Sequence, residues 1–251
     1  MGASFSKAFL LAAGLGTRLR PLTSKVPKCL LPINGRPLLS IWLETCERLG
    51  IEEVLINTHY LADKVQAWAL NEKTSVRIRL SHEPRLLGSA GTVAANRDFV
   101  GDAEDFFVFY ADNLVHADLE SLKTFHCQHQ SLITLGLFQT AAPEACGIVT
   151  VDNTGCVTSF EEKPVRPRSD LANTGIYICR QAVLEYLPKR GFADFGKDVL
   201  PRLVGRMWGT ALNGYLIDVG TPDNYRKALE DWPLVSRKSV LPSLERPVGR
   251  G

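Results

Sequence analysis

With 251 residues, 45% of them apolar, the chain has the material for one generous α/β core. Its 29 Lys or Arg nearly balance 27 Asp or Glu, for a formal net charge of +2, and no basic stripe or acidic tail stands out, which excludes nucleic acid as the expected partner. No apolar stretch is long enough to span a bilayer, and the run near the start is too short for a secretory h-region, so no membrane partner is expected.

Cysteine usage points to a cytoplasmic protein. Met1-Gly2 with Ser6 fits a loose myristoylation pattern, short enough to be read as chance. The six cysteines (29, 46, 127, 146, 156, 179) contain no Cys-x-x-Cys pair and read as reduced core thiols. His126 and His129 beside Cys127 lack a second ligand pair nearby and read as surface helix.

In chain order, residues 9–11 form a short apolar strand that breaks at Gly14 and Gly16. A glycine-rich turn exposes backbone N–H groups and lets the main chain approach a ligand, a concavity suited to oxygen anions. Arg18 adds a planar cationic fork, and Lys28, between Pro27 and Cys29, a mobile point charge. A polyphosphate is the natural guest, with an ordinary strand-to-helix turn as the alternative. Leu19 stands where a dinucleotide fingerprint needs its third glycine, and no Gly-Lys-Ser/Thr follows, so the two common nucleotide loops are excluded.

After a Pro-rich loop, apolar residues at 38, 39, 41, 42, 46 and 49 draw a helical stripe that Gly50 ends. Strand, helix and strand follow over 53–57, 61–70 and 76–80, then a helix over 89–97 and a strongly apolar strand over 106–110. Asp118 can cap a helix running to 129, and 132–138 is a further strand. Such alternation predicts an α/β, Rossmann-like fold, a mostly parallel sheet flanked by helices. Past 140 the strands shorten, at 147–151, 157–160 and 175–179, with Asp152 to Gly155 turning the first two into a hairpin. Helices are expected at 181–187 and 197–204, a strand at 215–218 and a last helix near 222–229. The predicted organisation is one domain over 1–232, with a first half to about 140 and a second half from 141 carrying the extra β elements, which the resemblance described below implies to be the nucleotide and sugar halves, then a partly mobile tail over 233–251.

Ligands of open α/β sheets sit at the carboxyl ends of strands. One exit delivers Asp112 and Asn113, and another Asp218. Carboxylates at two strand ends can share Mg²⁺ with phosphate oxygens, although either Asp alone is equally a cap or turn former. A third exit is Glu161-Glu162-Lys163-Pro164, where Pro164 is expected to hold Lys163 in extended backbone.

The run Gly14-Leu15-Gly16-Thr17-Arg18-Leu19-Arg20-Pro21-Leu22-Thr23, followed by Pro27-Lys28, resembles the signature of the sugar-1-phosphate nucleotidyltransferases, the nucleotide-sugar pyrophosphorylases. Matches extend from about residue 7 to 226, with Ala111 where that family usually has Gly. The resemblance implies that Asp112 and Asp218 bind the metal and that Arg18, Lys28 and Lys163 are catalytic beside them. It implies nucleotide contacts from Leu11, Ala12, Ala13, Gly14, Gly16, Thr17, Arg18, Lys28 and Asp112, and from the loop residues Glu83, Gly88, Ser89, Gly91 and Thr92. Sugar contacts are implied for Asn113, Gly147, Glu162, Lys163, Asn173 and Thr174. A carboxylate at Glu83 offers only acceptors, which suits guanine's adjacent N–H groups; an exposed loop carboxylate is the alternative.

The implied activity is Mg²⁺-dependent transfer of a nucleotidyl group from a nucleoside triphosphate to a sugar 1-phosphate. The chain looks most similar to members acting with GTP on mannose- or heptose-1-phosphate. Alternatives are a thymidylyl- or uridylyltransferase for glucose-1-phosphate or an amino-sugar 1-phosphate, a phosphocholine-type cytidylyltransferase, and a non-catalytic regulatory relative. Few aromatic residues lie between 140 and 180 to cage a quaternary amine. Association into a homo-oligomer stays open.

Overall fold

The computed structural model describes residues 5–237. Its centre is β1 (Lys7–Leu11), whose Ala8, Phe9 and Leu10 are completely buried, as expected of a strand covered on both faces. β1 pairs in parallel with β4 (Glu53–Thr58) and β6 (Asp105–Tyr110), and β4 in parallel with β5 (Arg77–His82) at the edge. On the other side, β6 pairs antiparallel with the long β11 (Leu171–Arg180), which also receives β8 (Ile133–Gln139) and β9 (Gly147–Val151). β10 (Val157–Glu162) completes the hairpin with β9, and β12 (Met207–Ala211) runs parallel to β8.

Side chains alternate across a strand, so β1 feeds two cores. Leu10 joins Phe107 and Phe109 against α1 (Leu38–Arg48), through Leu39, Trp42 and Cys46. Phe9 joins Phe106 and Val108 against α3 (Gly88–Ala95). α2 (Ala62–Asn71) connects β4 to β5, and α5 (Leu119–Gln128), capped by Asp118, leads to β8. The fold is thus α/β, with a central parallel sheet flanked by helices and antiparallel strands added on one side.

Several expectations need correction. The predicted helix over 89–97 breaks at Asn96, and a separate single turn, α4 (Arg97–Val100), follows. The segments at 181–187 and 197–204 are short non-α turns: 3-10 at Gln181–Glu185, then π at Phe195–Val199 and 3-10 at Leu200–Leu203. A small hairpin of β2 (Pro32–Ile33) and β3 (Arg36–Pro37) occupies the Pro-rich loop, and the sequence reading also omitted β7 (Asn113–Ala117) and β12. After β13 (Gly214–Asp218), α6 (Pro222–Arg237) continues past residue 233 with Pro233 inside it, so the tail does not begin there. The rest of that tail, and Met1-Gly2, lie outside the described residues.

His126 is not a surface residue. It is completely buried, with Nδ1 2.7 Å from Thr134 Oγ1 and Nε2 3.1 Å from Asp105 Oδ1, because it sits on the inner face of α5. The cysteines divide as well: Cys29, Cys46 and Cys179 are buried, Cys127 is exposed, Cys146 and Cys156 are half-buried, and all six are free thiols. Burial pushes the Cys29 thiol up to about 12, which makes it inert packing. Among the described residues, no helix is long and apolar enough to cross a membrane.

Candidate active site

The loop leaving β1 owes its shape to Gly16, whose φ of 61° is left-handed and whose missing Cβ would lie 2.9 Å from Thr23 Cγ2. Thr23 donates its hydroxyl to the Gly16 carbonyl at 2.7 Å. Nothing lies within 4 Å of the position a Gly14 side chain would take, so the main chain there is open to a ligand. At the foot of the loop, Ala12 N donates to Asn57 Oδ1 at 2.6 Å. Leu11, Ala12, Gly14, Lys28 and Asp112 border one small recess.

Two acids meet beside this loop because of strand register. β13 pairs antiparallel with β7, Asp218 opposite Asn113, so Asp218 arrives next to Asp112, the residue just before β7. Val219 N donates to the Asp112 carbonyl at 3.2 Å, which fixes the two exits together. Lys28 Nζ donates to Asp112 Oδ2 at 2.8 Å and to Asp218 Oδ1 at 3.0 Å. Its side chain is only 7% exposed, against 43% and 46% for the two aspartates, so the acids face solvent over a sunken ammonium. Arg18 NH2 stands 3.8 Å from Asp218 Oδ2. Among the described residues no group of three or more His, Cys, Asp or Glu could hold a metal ion. A hard cation at this site would therefore take the two aspartates and complete its shell with ligand oxygens and water.

Asp112, Asp218 and Arg18 also border a cavity of about 680 Å³ whose lining includes Glu162 and Lys163. The glycine-loop recess and this cavity share Asp112 as a common wall. Lys163 departs from the expected extended backbone: its φ is 50°, left-handed and strained before proline. The cause lies across the hairpin, since β10 runs on to Glu162 and the Lys163 N–H is then taken by the Cys146 carbonyl at 2.9 Å. The side chain is left exposed.

Gly147 pairs with Glu162 across the β9–β10 ladder, and a Cβ there would lie 2.8 Å from Glu162 Oε2. Gly147 therefore makes room for that carboxylate. Burial raises the Glu162 pKa, and the nearby Asp194 charge raises it further, against the lowering effect of Lys163 and Lys197. Asn173 lines the same cavity, its Nδ2 donating to the hydroxyl of the buried Tyr177 at 2.7 Å. Asn113 and Thr174 also border it, with Asn113 Nδ2 donating to the Thr174 carbonyl and Thr174 Oγ1 to the Gly136 carbonyl. Asp194 and Gly196 line the cavity too. Sequence reasoning missed them because they follow no predicted strand; the Asp-Phe-Gly run at 194–196 was the available signal.

The loop at 83–92 is built differently from expectation. Glu83 is 2% exposed. Its Oε1 accepts from Asn57 Nδ2 at 2.9 Å and Thr92 Oγ1 at 2.5 Å, and its Oε2 from Leu87 N at 3.0 Å. A carboxylate so engaged anchors its own loop, and at this burial it is not an exposed loop acid. Thr92, completely buried, belongs to the same network. The third and fourth amides of α3 are taken as well, since Ala90 N and Gly91 N both donate to the Ala193 carbonyl at 3.0 Å. Gly88 and Gly91 permit this close approach: a Cβ on Gly88 would collide with the Ala193 carbonyl, and one on Gly91 would lie 2.8 Å from the Gly191 carbonyl. Ser89 bonds to the 194–195 backbone and side chain. Glu83, Gly88, Ser89, Gly91 and Thr92 are thus packing and anchoring residues in this structure.

The family model described as Nucleotidyl transferase matches residues 7–233. Mannose-1-phosphate guanylyltransferase catalytic subunit beta of Drosophila melanogaster is 32% identical over 225 residues, covering 88% of this chain and 61% of that protein. UTP--glucose-1-phosphate uridylyltransferase of Synechocystis is 30% identical, covering 89% and 62%. The chain spans about three fifths of the length of these curated relatives. Among solved structures, HddC from Yersinia pseudotuberculosis complexed with GMP-PN is 25% identical with a TM-score of 0.75, over 91% of this chain and all of the other.

Proposed function

The chain belongs to the nucleotidyl transferase family, and from that premise we propose that it joins a nucleoside triphosphate to a sugar 1-phosphate. A non-bridging phosphate oxygen of the sugar 1-phosphate bonds to the α-phosphorus, the α–β bridging bond breaks, and pyrophosphate leaves. No general base is required, because a phosphate monoester is largely ionised at neutral pH. The observation that carries this reading is the Lys28 ammonium between Asp112 and Asp218, beside the glycine loop on one side and the cavity with Lys163 on the other.

Two anions must meet, so the chain's work is positioning and charge neutralisation. The open amides around Gly14 receive the triphosphate, with Leu11, Ala12, Ala13 and Thr17 shaping the loop. Arg18 faces the departing pyrophosphate, Lys28 the α-phosphate, and Lys163 the incoming sugar phosphate. Glu162 and Asn173 accept and donate to sugar hydroxyls. The donor set of two half-exposed aspartates fits Mg²⁺, which when bound supplies Lewis-acid neutralisation of the phosphates.

GTP with mannose- or heptose-1-phosphate is the proposed substrate pair. Support for GTP comes from the guanylyltransferase relative and from HddC solved with GMP-PN. UTP with glucose-1-phosphate is the second reading, favoured by the uridylyltransferase relative of nearly equal identity. Pyrophosphate release measured over a matrix of nucleoside triphosphates and sugar 1-phosphates tests both. GTP with mannose- or heptose-1-phosphate is expected to give the highest kcat/KM; a preference for UTP or dTTP with glucose-1-phosphate decides for the second reading, and no release from any pair removes the transferase.

A further inference from the structure

Ser89 stands in the first turn of α3, where the family resemblance implies a nucleotide contact. Its hydroxyl is turned to the other substrate's side. Ser89 Oγ donates to Asp194 Oδ2 at 2.8 Å and accepts from Phe195 N at 2.8 Å. Asp194 Oδ1 accepts from Gly196 N at 2.9 Å, and Asp194 N donates to Asp198 Oδ2 at 2.7 Å. Asp194 is thereby fixed on both carboxylate oxygens and at its backbone, while it borders the large cavity.

The fixing matters because of what Asp194 faces. Glu162 borders the same cavity, and the space between them is tight: a Cβ on Gly196 would lie 2.5 Å from Glu162 Oε2 and 3.3 Å from Asp194 Oδ1. Two carboxylates this near repel each other. The hydroxyl of Ser89 and the amide of Gly196 are the donors that hold Asp194 in place against that repulsion. The same segment is clamped to α3 through the Ala193 carbonyl and through Ala193 N donating to the Leu87 carbonyl at 2.8 Å. The start of the helix therefore carries Asp194, one of the two acids.

We propose that Ser89 is a positioning residue for the sugar 1-phosphate, acting through Asp194, and that it makes no contact with the nucleotide. This rests on the transferase reading above. It predicts a separation of the two substrates' constants that neither a nucleotide contact nor a general packing role produces. A hydrogen bond to a charged group contributes enough that its loss in Ser89→Ala raises KM for the sugar 1-phosphate about tenfold or more. KM for the nucleoside triphosphate stays close to wild type.

The test is steady-state kinetics on the full chain, wild type, Ser89→Ala and Ser89→Thr, varying each substrate at saturation of the other, with thermal unfolding recorded for all three. The expected result is a selective rise in the sugar KM for Ser89→Ala and recovery in Ser89→Thr, which keeps the hydroxyl. An unchanged sugar KM, a parallel rise in both constants, or a Thr variant as impaired as Ala overturns the role of Ser89 alone. A wild type without turnover on any substrate pair overturns the transferase reading and this role with it.

Discussion

Strand β6 starts at one carboxylate, Asp105, and delivers another, Asp112, two residues past its end. Both have a cationic or protonatable neighbour from far along the chain. Asp105 is 4% exposed and sealed against His126, with Arg180 Nε 3.6 Å away; its Oδ1 and His126 Nε2 lie 3.1 Å apart without hydrogen-bond alignment. Asp112 shares the Lys28 ammonium with Asp218 and keeps a half-exposed face on the cavity. A carboxylate buried as Asp105 is can only stabilise or strain the fold. One that still presents free acceptor sites to a cavity can bind a ligand.

The contrast is sharpest under mutation. Asp112→Ala and Lys28→Ala are each expected to lower kcat at least about 100-fold, the scale of deleting one preorganised electrostatic contact. Because Lys28 keeps Asp218, Asp112→Ala should change unfolding free energy by less than about 1 kcal/mol. Near-normal turnover in either variant breaks the assignment of this end of β6. Asp105→Asn should do the reverse, costing about 1–3 kcal/mol in denaturant unfolding because a buried polar network loses its match, with kcat per folded molecule unaltered. A loss of kcat there, measured on protein confirmed as folded, would erase the distinction between the two ends.

A smaller effect is expected where Glu162 lines the cavity. Gly147→Ala places a Cβ against Glu162 Oε2 and within 2.9 Å of Phe160 Cζ, and overpacking of this kind costs about 1–3 kcal/mol. The displaced Glu162 should raise KM for the sugar 1-phosphate with little change in KM for the nucleotide, read by the same substrate titrations. The least effect is a pH dependence. Burial and Asp194 raise the Glu162 pKa above 4.5, so the fold favours its protonated form. That stability contribution is complete below 4.5 and is lost as pH rises through the raised value. Sugar binding, which uses the ionised acceptor, should run the other way: the acid limb of kcat/KM for the sugar is shifted upward from that of an ordinary glutamate and disappears in Glu162→Gln. An identical acid limb in the variant would remove Glu162 from that role.

Much of the frame was legible before any coordinates. The apolar run at 106–110 could hardly be anything but a buried strand, and the Gly14/Gly16 break predicted the open loop. Where the reading went astray, a local rule met a longer-range partner. Pro164 disfavours a compact backbone at Lys163, yet the hydrogen bond to Cys146 holds that residue left-handed. Glu83 sits in a polar loop, yet Asn57 and Thr92 draw it inside. His126 lies on a helix of mixed polarity, and only its orientation toward Asp105 and Thr134 shows that it is core.

Periodicity and glycine spacing are properties of neighbouring residues, and from them alone came the alternating elements, the loop and the candidate strand exits. Which exits meet is decided by pairing register and packing. Asp112 lies 84 residues from Lys28 and Asp218 lies 190 from it, and the β7–β13 ladder that joins the two acids leaves no mark in either segment's own pattern. The Ser89–Asp194 link, across 105 residues, is of the same kind: side chains so distant in the chain become partners only when the folded backbone sets them a few ångströms apart.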